Sequence, residues 1–540
     1  MRGPGPSFSR ASHRAGVLLP LSAAVSTSSW GIGEFPDLAP LCQWLAGAGL
    51  SVLQLLPLCE MSPGSASPYA STSGMALDPV YLRLDALPEW TALTGHDAVA
   101  AAAAREEARA GSCTRRHITG VRTVKDRLLR RMFQLAQTPT TPMQQARLDA
   151  CDAWCRAEAW WLDHYALFRA LHAMHGETDW QTWPLALAAR DANALHEARV
   201  AHGEDIRYRA WLQWLAHTQW ADARAAAHAD GVAVFGDLPF LVDGDSADVW
   251  SRQEEFDRSA SVGVPPDAFS ETGQDWGLPL PRWSAMEATG YQWMRDRARR
   301  MAALYDGLRV DHVVGLFRTY ARRSDRTGDG AFSPEDGSSQ IAQGRTVLSL
   351  LGESGLALIV EDLGVVPPAV REALAQLELP GYRVLRWERE WDAPGQPFSD
   401  PRTWPRCAVA TSGTHDTEPL AVWWDGLDPE TRGALASVIA WPADLAPTAA
   451  WCDAVRDALI VALLHASAAL VLLPLGDVFG WPDRINVPGT VTEENWTFRL
   501  PVPVNQWHAW PVAGARQDAL RAWTAAAGRL PAAPHGPREG

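Results

Sequence analysis

Two short, largely apolar runs that each end in an acid constrain this chain more than any other feature. One covers 308–310 and is followed by Asp311, and the other covers 357–360 and is followed by Glu361. Runs of this kind are typical of parallel strands that are buried on both faces. Asp416 follows a third such run. In barrels of alternating strands and helices, catalytic groups collect where the strands leave the core, so the three acids predict a common site at the mouth of a barrel.

Eight apolar runs that each end in a turn can be counted along the chain, and helical patterns separate most of them. This alternation predicts parallel βαβ units, and eight such units close into a (β/α)8 TIM barrel of the α/β class. A doubly wound sheet is the alternative, but the sequence lacks the glycine-rich phosphate turn of such folds. The predicted strands are 17–23, 52–57, 232–237, 308–311, 357–361, 382–386, 407–411 and 469–474.

The uneven spacing of the predicted strands indicates large insertions at the C-terminal face of a single barrel. Alanine and arginine are frequent over about 86–204, with helical periodicity in 143–173, so we expect an inserted helical subdomain there. Glycine, proline and tryptophan dominate about 243–290, which predicts a long ordered loop at the active site. The other predicted segments are a disordered leader over 1–15, the barrel over 16–527, a loop over 476–500 and a frayed tail over 528–540.

The charge balance argues against a nucleic-acid or anionic-membrane partner. The chain has 63 acidic and 48 basic residues and a net charge of −15 at pH 7, whereas such partners select basic patches. No apolar run reaches the ~18 residues of a membrane span. The seven cysteines are odd in number and scattered, which favours reduced thiols and a cytoplasmic location. We expect a monomer or a weak homo-oligomer.

Two patterns superficially resemble metal sites. Cys151 and Cys155 are spaced as a ligand pair, but no second Cys or His pair accompanies them at zinc spacing. The segment 325–336 approximates a calcium loop, although Thr327 at the third position and Asp336 at the last weaken the match. We interpret the second as a plain surface loop, and we expect neither a metal nor a cofactor.

Tryptophan is strongly over-represented. The chain has 27 tryptophans in 540 residues, against 8 tyrosines and 13 phenylalanines. A flat apolar ring with an N–H at its edge suits the apolar C–H faces of a sugar. Any single tryptophan is more often a core residue, so the excess favours a carbohydrate ligand only as a whole.

Two carboxyl groups at one mouth can divide the work of cleaving a glycosidic bond. Asp311, short and held near its strand, suits the nucleophile, and the longer Glu361 suits the acid that protonates the leaving oxygen. Arg309 lies two residues before Asp311 on the same face of the strand, so its charge keeps the nucleophile ionised. Each acid alone could equally be a helix cap or an ion-pair partner, but three together favour catalysis. We expect the hydroxyl groups of the sugar to form hydrogen bonds with Asp416, His312 and His415.

A series of ordered motifs runs along nearly the whole chain: GIGEF at 31–35, LQLLPL at 53–58, SPYASTS at 67–73, GDLP at 236–239, DSADVW at 245–250, PPDAFSETGQDWG at 265–277, RVDH at 309–312, VEDLG at 360–364, LPGYRVL at 379–385, GTHD at 413–416 and RINVPGT at 484–490. Together they resemble the 4-alpha-glucanotransferases, or amylomaltases, of glycoside hydrolase family 77. The resemblance implies transfer of α-1,4-glucan segments between maltooligosaccharides by a retaining double displacement, without a cofactor.

The resemblance also implies roles for individual residues. Asp311 is then the nucleophile, Glu361 the acid/base and Asp416 the stabiliser of the transition state. Two pairs depart from the family pattern near the site: Val313-Val314, where Phe-Arg is usual, and Thr417-Glu418, where Asn-Asp is usual. Sugar contacts are implied for Tyr69, Asp237, Trp276, Arg309, His312, His415, Asn495 and Trp496.

Two other functions use the same features. A retaining α-glucan hydrolase has the same acids but takes water as the acceptor. A glucan-binding protein without activity uses the tryptophans and not the acids, and the intact trio of acids argues against it.

Overall fold

The computed structural model describes residues 13–111, 117–265, 273–323 and 330–531. Within these ranges the chain forms twelve strands. They are β1 (Arg14–Leu19), β2 (Val52–Leu55), β3 (Ala233–Leu238), β4 (Phe256–Val264), β5 (Gln274–Pro281), β6 (Gly307–Val310), β7 (Thr319–Arg323), β8 (Ala331–Ser333), β9 (Ala357–Val360), β10 (Gly381–Val384), β11 (Ala408–Thr411) and β12 (Leu470–Pro474).

The same ranges contain eighteen α-helices. They are α1 (Leu38–Gly47), α2 (Glu89–Gly111), α3 (His117–Ala136), α4 (Pro142–Met174), α5 (Leu185–Ala188), α6 (Ala192–Ala201), α7 (Gly203–Ala229), α8 (Ala247–Ser251), α9 (Trp283–Ala288), α10 (Gln292–Leu304), α11 (Val314–Phe317), α12 (Gly337–Gly352), α13 (Pro368–Gln376), α14 (Leu420–Gly426), α15 (Pro429–Val438), α16 (Asp453–Leu464), α17 (Leu475–Phe479) and α18 (Pro511–Ala526).

Eight strands close into a parallel barrel in the order β1-β12-β11-β10-β9-β6-β3-β2. Each of them overlaps one of the eight predicted runs, so the (β/α)8 barrel predicted from the sequence is confirmed. The runs are continuous because a barrel strand is buried on its inner face by its neighbours across the barrel and on its outer face by helices. Two separate apolar cores result, one between strands and helices and one inside the barrel.

The inner core sets the positions of the groups at the mouth. It contains Phe235 on β3 and Ile359 on β9. Side chains two residues apart on a strand share a face. Asp237 and Glu361 are therefore the next inward-facing positions, at the carboxyl ends of the same strands.

Helices α2 to α6 lie between β2 and β3, in the segment for which the sequence predicts a helical subdomain. The longest, α4, begins with a capping box. The hydroxyl of Thr141 accepts a hydrogen bond from the backbone of Gln144, whose side chain bonds the Thr141 backbone in return. Helix α4 then packs against α7, the helix that leads into β3.

The prediction of a long loop over 243–290 is wrong in one respect, because much of this segment forms a β-sheet. Strands β4 and β5 from this segment form a four-stranded antiparallel sheet with β7 and β8, in the order β5-β4-β7-β8. β4 gives little strand signal because its first half is mostly polar and most of its residues are only partly buried. Register shifts between β4 and β5 also break the alternation that marks a strand.

Both ends of the fold extend beyond their predicted limits. Strand β1 begins at Arg14, inside the predicted leader, of which 1–12 lie outside the described residues. Arg529 lies in the predicted tail but is buried, and its guanidinium donates to the carbonyls of Leu464, Ala466 and Ala468. Arg529 therefore belongs to the fold, and 532–540 lie outside the described residues.

Candidate active site

The ends of β3 and β6 carry a network of ionised groups. Asp237 and Arg309 are register partners on these adjacent strands. Nη1 of Arg309 is 2.8 Å from each carboxylate oxygen of Asp237 and 2.8 Å from Oδ1 of Asp311. The hydroxyl of Tyr69 donates to Asp237 at 2.7 Å. Burial opposes the charge of the Arg309 guanidinium, but the paired carboxylates, above all Asp237, raise its pKa, so Arg309 stays charged.

Asp311 and Glu361 are neighbours across the next pair of strands. Val310 on β6 pairs with Val360 on β9, so the two acids are the next pair in register. The backbone N–H of Glu361 donates to the Val310 carbonyl at 3.0 Å, and that of Val313 donates to the Glu361 carbonyl at 3.1 Å. Since adjacent strands lie about 4.8 Å apart, this ladder holds the two carboxyl groups side by side.

Glu361 holds its proton at a higher pH than an ordinary carboxyl group does. Burial, assisted by the charge of Asp311 and opposed by that of Arg309, raises its pKa from 4.5 to about 7. Its two oxygens accept backbone hydrogen bonds from His312, at 2.9 Å, and from Leu363, at 3.1 Å. The site thus places a carboxyl group that holds a proton next to a carboxylate that is paired with an arginine.

His312 closes one side of the mouth in a strained conformation. Its φ of 43° lies in the left-handed region, which residues other than glycine rarely adopt and which is often found at functional sites. Its ring meets the ring of Trp276 on β5 edge-on, with centroids 4.7 Å apart, and also contacts Phe240. Burial lowers the pKa of His312 to about 4, so its imidazole is neutral.

Asp416 lies on a loop after β11. Oδ1 of its carboxylate accepts a hydrogen bond from Nδ2 of Asn486 at 2.6 Å, and its backbone carbonyl accepts one from Arg484 at 2.5 Å. Nε2 of His415 is 3.4 Å from the same Oδ1. The Asp416 side chain is 40% exposed, so it remains open to a ligand.

Aromatic rings join this loop to the strand ends. The ring of Tyr69 stacks on His415, with centroids 5.1 Å apart and an angle of 19° between the planes. Trp496 lies against both rings and adopts a φ of 66°. A cavity of about 490 Å³ opens beside Trp496 between segments 64–70 and 486–497. It lies within the range of about 300–1,000 Å³ that is usual for ligand pockets.

The structure joins ten of the eleven predicted site residues by direct or shared contacts. Asn495 makes none of these contacts, but it lines the same cavity as Trp496. Its Oδ1 accepts from the Val487 backbone at 3.0 Å and its Nδ2 donates to the Thr490 carbonyl at 3.0 Å, so its amide closes its own loop. The ten are Asp311, Glu361, Asp416, Tyr69, Asp237, Trp276, Arg309, His312, His415 and Trp496.

The predicted site residues do not include Asn486, although it stands in the RINVPGT motif. Its contact with Asp416 crosses 70 positions between two irregular loops, and no periodicity in the sequence reports such a contact. Phe240, which supports His312, was missed for the same reason.

The two departures from the family pattern have structural roles. Val313 and Val314 are buried. The hydroxyl of Thr417 donates to the Thr414 carbonyl and accepts from its N–H, both at 3.0 Å. Thr417 therefore closes the turn that presents Asp416.

Within the parts of the chain that the structure describes, no group of three or more His, Cys, Asp or Glu side chains could hold a metal ion. Cys151 and Cys155 lie one turn apart on α4, with their sulfur atoms 4.0 Å apart. Residues 325–329 of the approximate calcium loop lie outside the described residues, and Asp336 caps the N-terminus of α12. No helix in the described ranges is long and apolar enough to cross a membrane.

A protonated carboxyl group beside an arginine-paired carboxylate, at the mouth of a (β/α)8 barrel, is typical of enzymes that act on glycosidic bonds. The chain belongs to the 4-alpha-glucanotransferase family, glycoside hydrolase family 77, whose model matches residues 19–505. A 4-alpha-glucanotransferase of Chlamydia pneumoniae is 32% identical over 504 residues, which cover 91% of each chain. One of Thermus thermophilus is 34% identical over 365 residues, covering 65% of this chain and 71% of that protein.

Solved structures agree with the family. The amylomaltase of Corynebacterium glutamicum superposes with a TM-score of 0.77 at 25% identity, covering 96% of this chain and 75% of that one. The amylomaltase of Streptococcus agalactiae in complex with acarbose superposes with a TM-score of 0.79 at 23% identity. It covers 96% of this chain and 100% of that one, and at this identity it shows the shared fold.

Proposed function

We propose that this protein is a 4-alpha-glucanotransferase that moves α-1,4-glucan segments between maltooligosaccharides through a covalent glycosyl–Asp311 intermediate. Membership of the family supports the activity. The observation that carries the mechanism is the difference between the surroundings of the two acids. Glu361 has a pKa of about 7, and Asp311 is paired with Arg309, so one acid can give a proton while the other attacks.

In the first step, a carboxylate oxygen of Asp311 forms a bond to the anomeric carbon of the donor. The bond between that carbon and the bridging oxygen breaks, and the proton of Glu361 passes to the departing oxygen. The shortened glucan leaves, and Glu361 is left as a carboxylate.

In the second step, a hydroxyl group of the acceptor glucan attacks the same carbon. Its proton passes to the carboxylate of Glu361, and the ester bond to Asp311 breaks. Two inversions retain the α configuration, and both acids return to their starting states.

The remaining groups position the sugars in this proposal. Asp416, held by Asn486, accepts hydrogen bonds from hydroxyls of the reacting ring, and these bonds strengthen as the ring becomes an oxocarbenium ion. Tyr69, Trp496 and Trp276 offer faces or edges to neighbouring rings.

Transfer also requires that water be kept from the glycosyl–enzyme. We assign this role to the inserted segments 86–204 and 243–290 and to the loop 476–500, which we take as additions to one barrel domain. An acceptor sugar that they hold in position reacts ahead of water because its orientation offsets its low concentration.

Incubation with maltotriose and chromatography of the products test the proposal. Glucanotransfer gives a ladder that includes chains longer than maltotriose. Products that are only shorter would make the protein an α-glucan hydrolase with the same site. If maltotriose is unchanged, the protein is a glucan-binding protein without activity.

A further inference from the structure

Arg209, on α7, forms no hydrogen bond to any described residue, although its charge acts on the buried carboxylate of Glu60 and helps to lower the pKa of that group. It is 8% exposed, its Nε is buried without a hydrogen-bond partner, and it forms no ion pair within the described residues. Its guanidinium lies 5.6 Å from the centroid of the Tyr208 ring. Buried N–H donors that lack an acceptor are costly, so a position of this kind suggests that the acceptor is a ligand.

Arg209 lines a cavity of about 250 Å³ that is distinct from the barrel mouth. The cavity lies where helices α3, α4 and α7 meet the segment that follows β2. It opens to solvent beside Thr123 and Glu177, which are exposed. This volume is below the range of about 300–1,000 Å³ for drug-sized ligands, so it suits a ligand of about one sugar ring.

The other cations of the cavity are already paired. Arg122 binds both carboxylate oxygens of Asp78, at 2.8 and 2.7 Å. Arg169 binds Glu60 at 3.1 Å. Lys125 donates to Glu34 at 2.5 Å and to two backbone carbonyls. Arg209 is therefore the cation of this cavity whose donors are available to an anion.

Two carboxylates of the cavity keep free acceptor capacity. Asp126 accepts from the Tyr208 hydroxyl at 2.8 Å, and Glu177 is 3.3 Å from an Arg169 nitrogen, so each has further lone pairs. Carboxylates repel an anion that fills the whole cavity, but they bind hydroxyl groups well. The cavity thus combines one cation that has free donors with two carboxylates that have free acceptors, which favours a ligand that carries both an anionic group and hydroxyl groups.

We propose that this cavity binds one small phosphorylated polyol of the size of a sugar phosphate, with its phosphate on Arg209 and its hydroxyls on Asp126 and Glu177. A guanidinium binds a phosphate through two parallel charge-assisted hydrogen bonds. Neutral maltooligosaccharides lack the anionic group, so the cavity is not a further place for the glucan substrate.

Isothermal titration calorimetry of the full chain at pH 7.5 tests the proposal with three probes: glucose 6-phosphate, glucose and inorganic phosphate. We expect glucose 6-phosphate to bind with a dissociation constant below about 1 mM, inorganic phosphate to bind more weakly, and glucose not to bind here. Arg209→Gln should weaken the binding of glucose 6-phosphate at least about tenfold, because it removes the charge-assisted bonds. Arg207→Gln, an exposed arginine on the same helix, is the matched control and should bind as the native protein does.

Thermal melting of each variant confirms folding. If the glutamine variant does not fold, Arg209→Lys takes its place. It keeps the charge but not the two parallel bonds, so binding should fall severalfold. The proposal is overturned if the native protein does not bind glucose 6-phosphate, if glucose binds equally well, or if the folded Arg209 variant keeps the native affinity.

Discussion

The two sides of the barrel mouth are fixed in different ways. We call the ends of β3, β6 and β9 the strand side; it carries Asp237, Arg309, Asp311 and Glu361. We call the segments 412–418 and 484–496 the loop side; it carries Asp416, Asn486 and Trp496. On the strand side the backbone ladder continues beyond the strands and fixes the acids. On the loop side isolated contacts do this work: side-chain bonds at Asp416 and Thr417, and single backbone bonds such as the one from the Asn486 N–H to the His415 carbonyl at 3.2 Å.

The charged side chains of the two sides also differ in exposure. The side chains of Arg309 and Asp311 are 5% and 23% exposed, whereas that of Asp416 is 40% exposed. A buried charge in a rigid frame has a perturbed pKa and little freedom, which suits bond making and proton transfer. An exposed carboxylate on a loop can adapt to a sugar. We infer that the strand side performs the chemistry and that the loop side positions the substrate.

The largest effect should follow a change on the strand side. Asp311→Asn keeps the shape of the side chain but removes the nucleophile, while Arg309 keeps its bonds to Asp237 and holds the fold. Initial rates of maltotriose disproportionation should fall by a factor on the order of 10⁴ or more, as with other covalent enzymes that lose their nucleophile. A rate within tenfold of the native value would remove Asp311 from this role.

The pH dependence should report the burial of Glu361. A carboxyl group with a pKa of about 7 carries its proton below that pH and loses it above. Because the first step needs the proton, kcat/KM for maltotriose should fall about tenfold per pH unit above roughly pH 7. An α-glucosyl fluoride, whose leaving group needs little acid, should not show this decline in its first step. A decline that begins only near pH 9 would contradict the assignment.

A smaller effect is expected on the loop side. Asn486→Ala removes the hydrogen bond to Oδ1 of Asp416, a bond to a charged group worth about 1.5–3 kcal/mol, so kcat should fall at least about tenfold. Asn505→Ala is the matched control, because its amide ties an exposed loop at Thr27 without touching the acids. Equal kinetics for the two variants would mean that Asn486 does not position Asp416.

The smallest effect concerns Trp276, which contributes contact area and not chemistry. Trp276→Ala should raise KM for maltooligosaccharides about three- to tenfold, the loss expected for an aromatic contact of about 0.5–1.5 kcal/mol. Trp523→Ala, a partly buried tryptophan on α18, should leave KM unchanged. If Trp276→Ala instead melts at a much lower temperature with native kinetics, Trp276 is a packing residue.

The same contrast explains what the sequence could predict. The strand side is visible because apolar runs end abruptly at Asp311 and Glu361, and because parallel strands bring their ends to one edge. The predictions for Tyr69 and Trp276 depend only on the resemblance to the family, since the sequence around them does not distinguish them from aromatic residues of the core. Asn486 could not be predicted as a site residue, because a contact between loops 70 positions apart leaves no periodic pattern in the sequence.

Irregular and polar segments account for the other differences. Strand β4 places Asp, Arg and Ser between its apolar residues without a regular alternation, so its pairing in an antiparallel sheet could not be predicted from periodicity. The sequence around Arg529 is typical of a tail. Its guanidinium is nevertheless buried, because it donates hydrogen bonds to the carbonyls of Leu464 and Ala468, which precede β12. Asn495 fits the family pattern by position, but its amide is bonded within its own loop.

Trapping the intermediate tests the central claim most directly. Glu361→Gln cannot donate a proton, so natural glucans should turn over at least ~10²-fold more slowly, while a maltosyl fluoride should still react in the first step. Without a base for the second step, the glycosyl–enzyme should accumulate. After acid quenching and peptic digestion, mass spectrometry should find the added sugar mass on the peptide that contains Asp311. A sugar on another carboxylate, or no adduct while fluoride is released, would contradict the account.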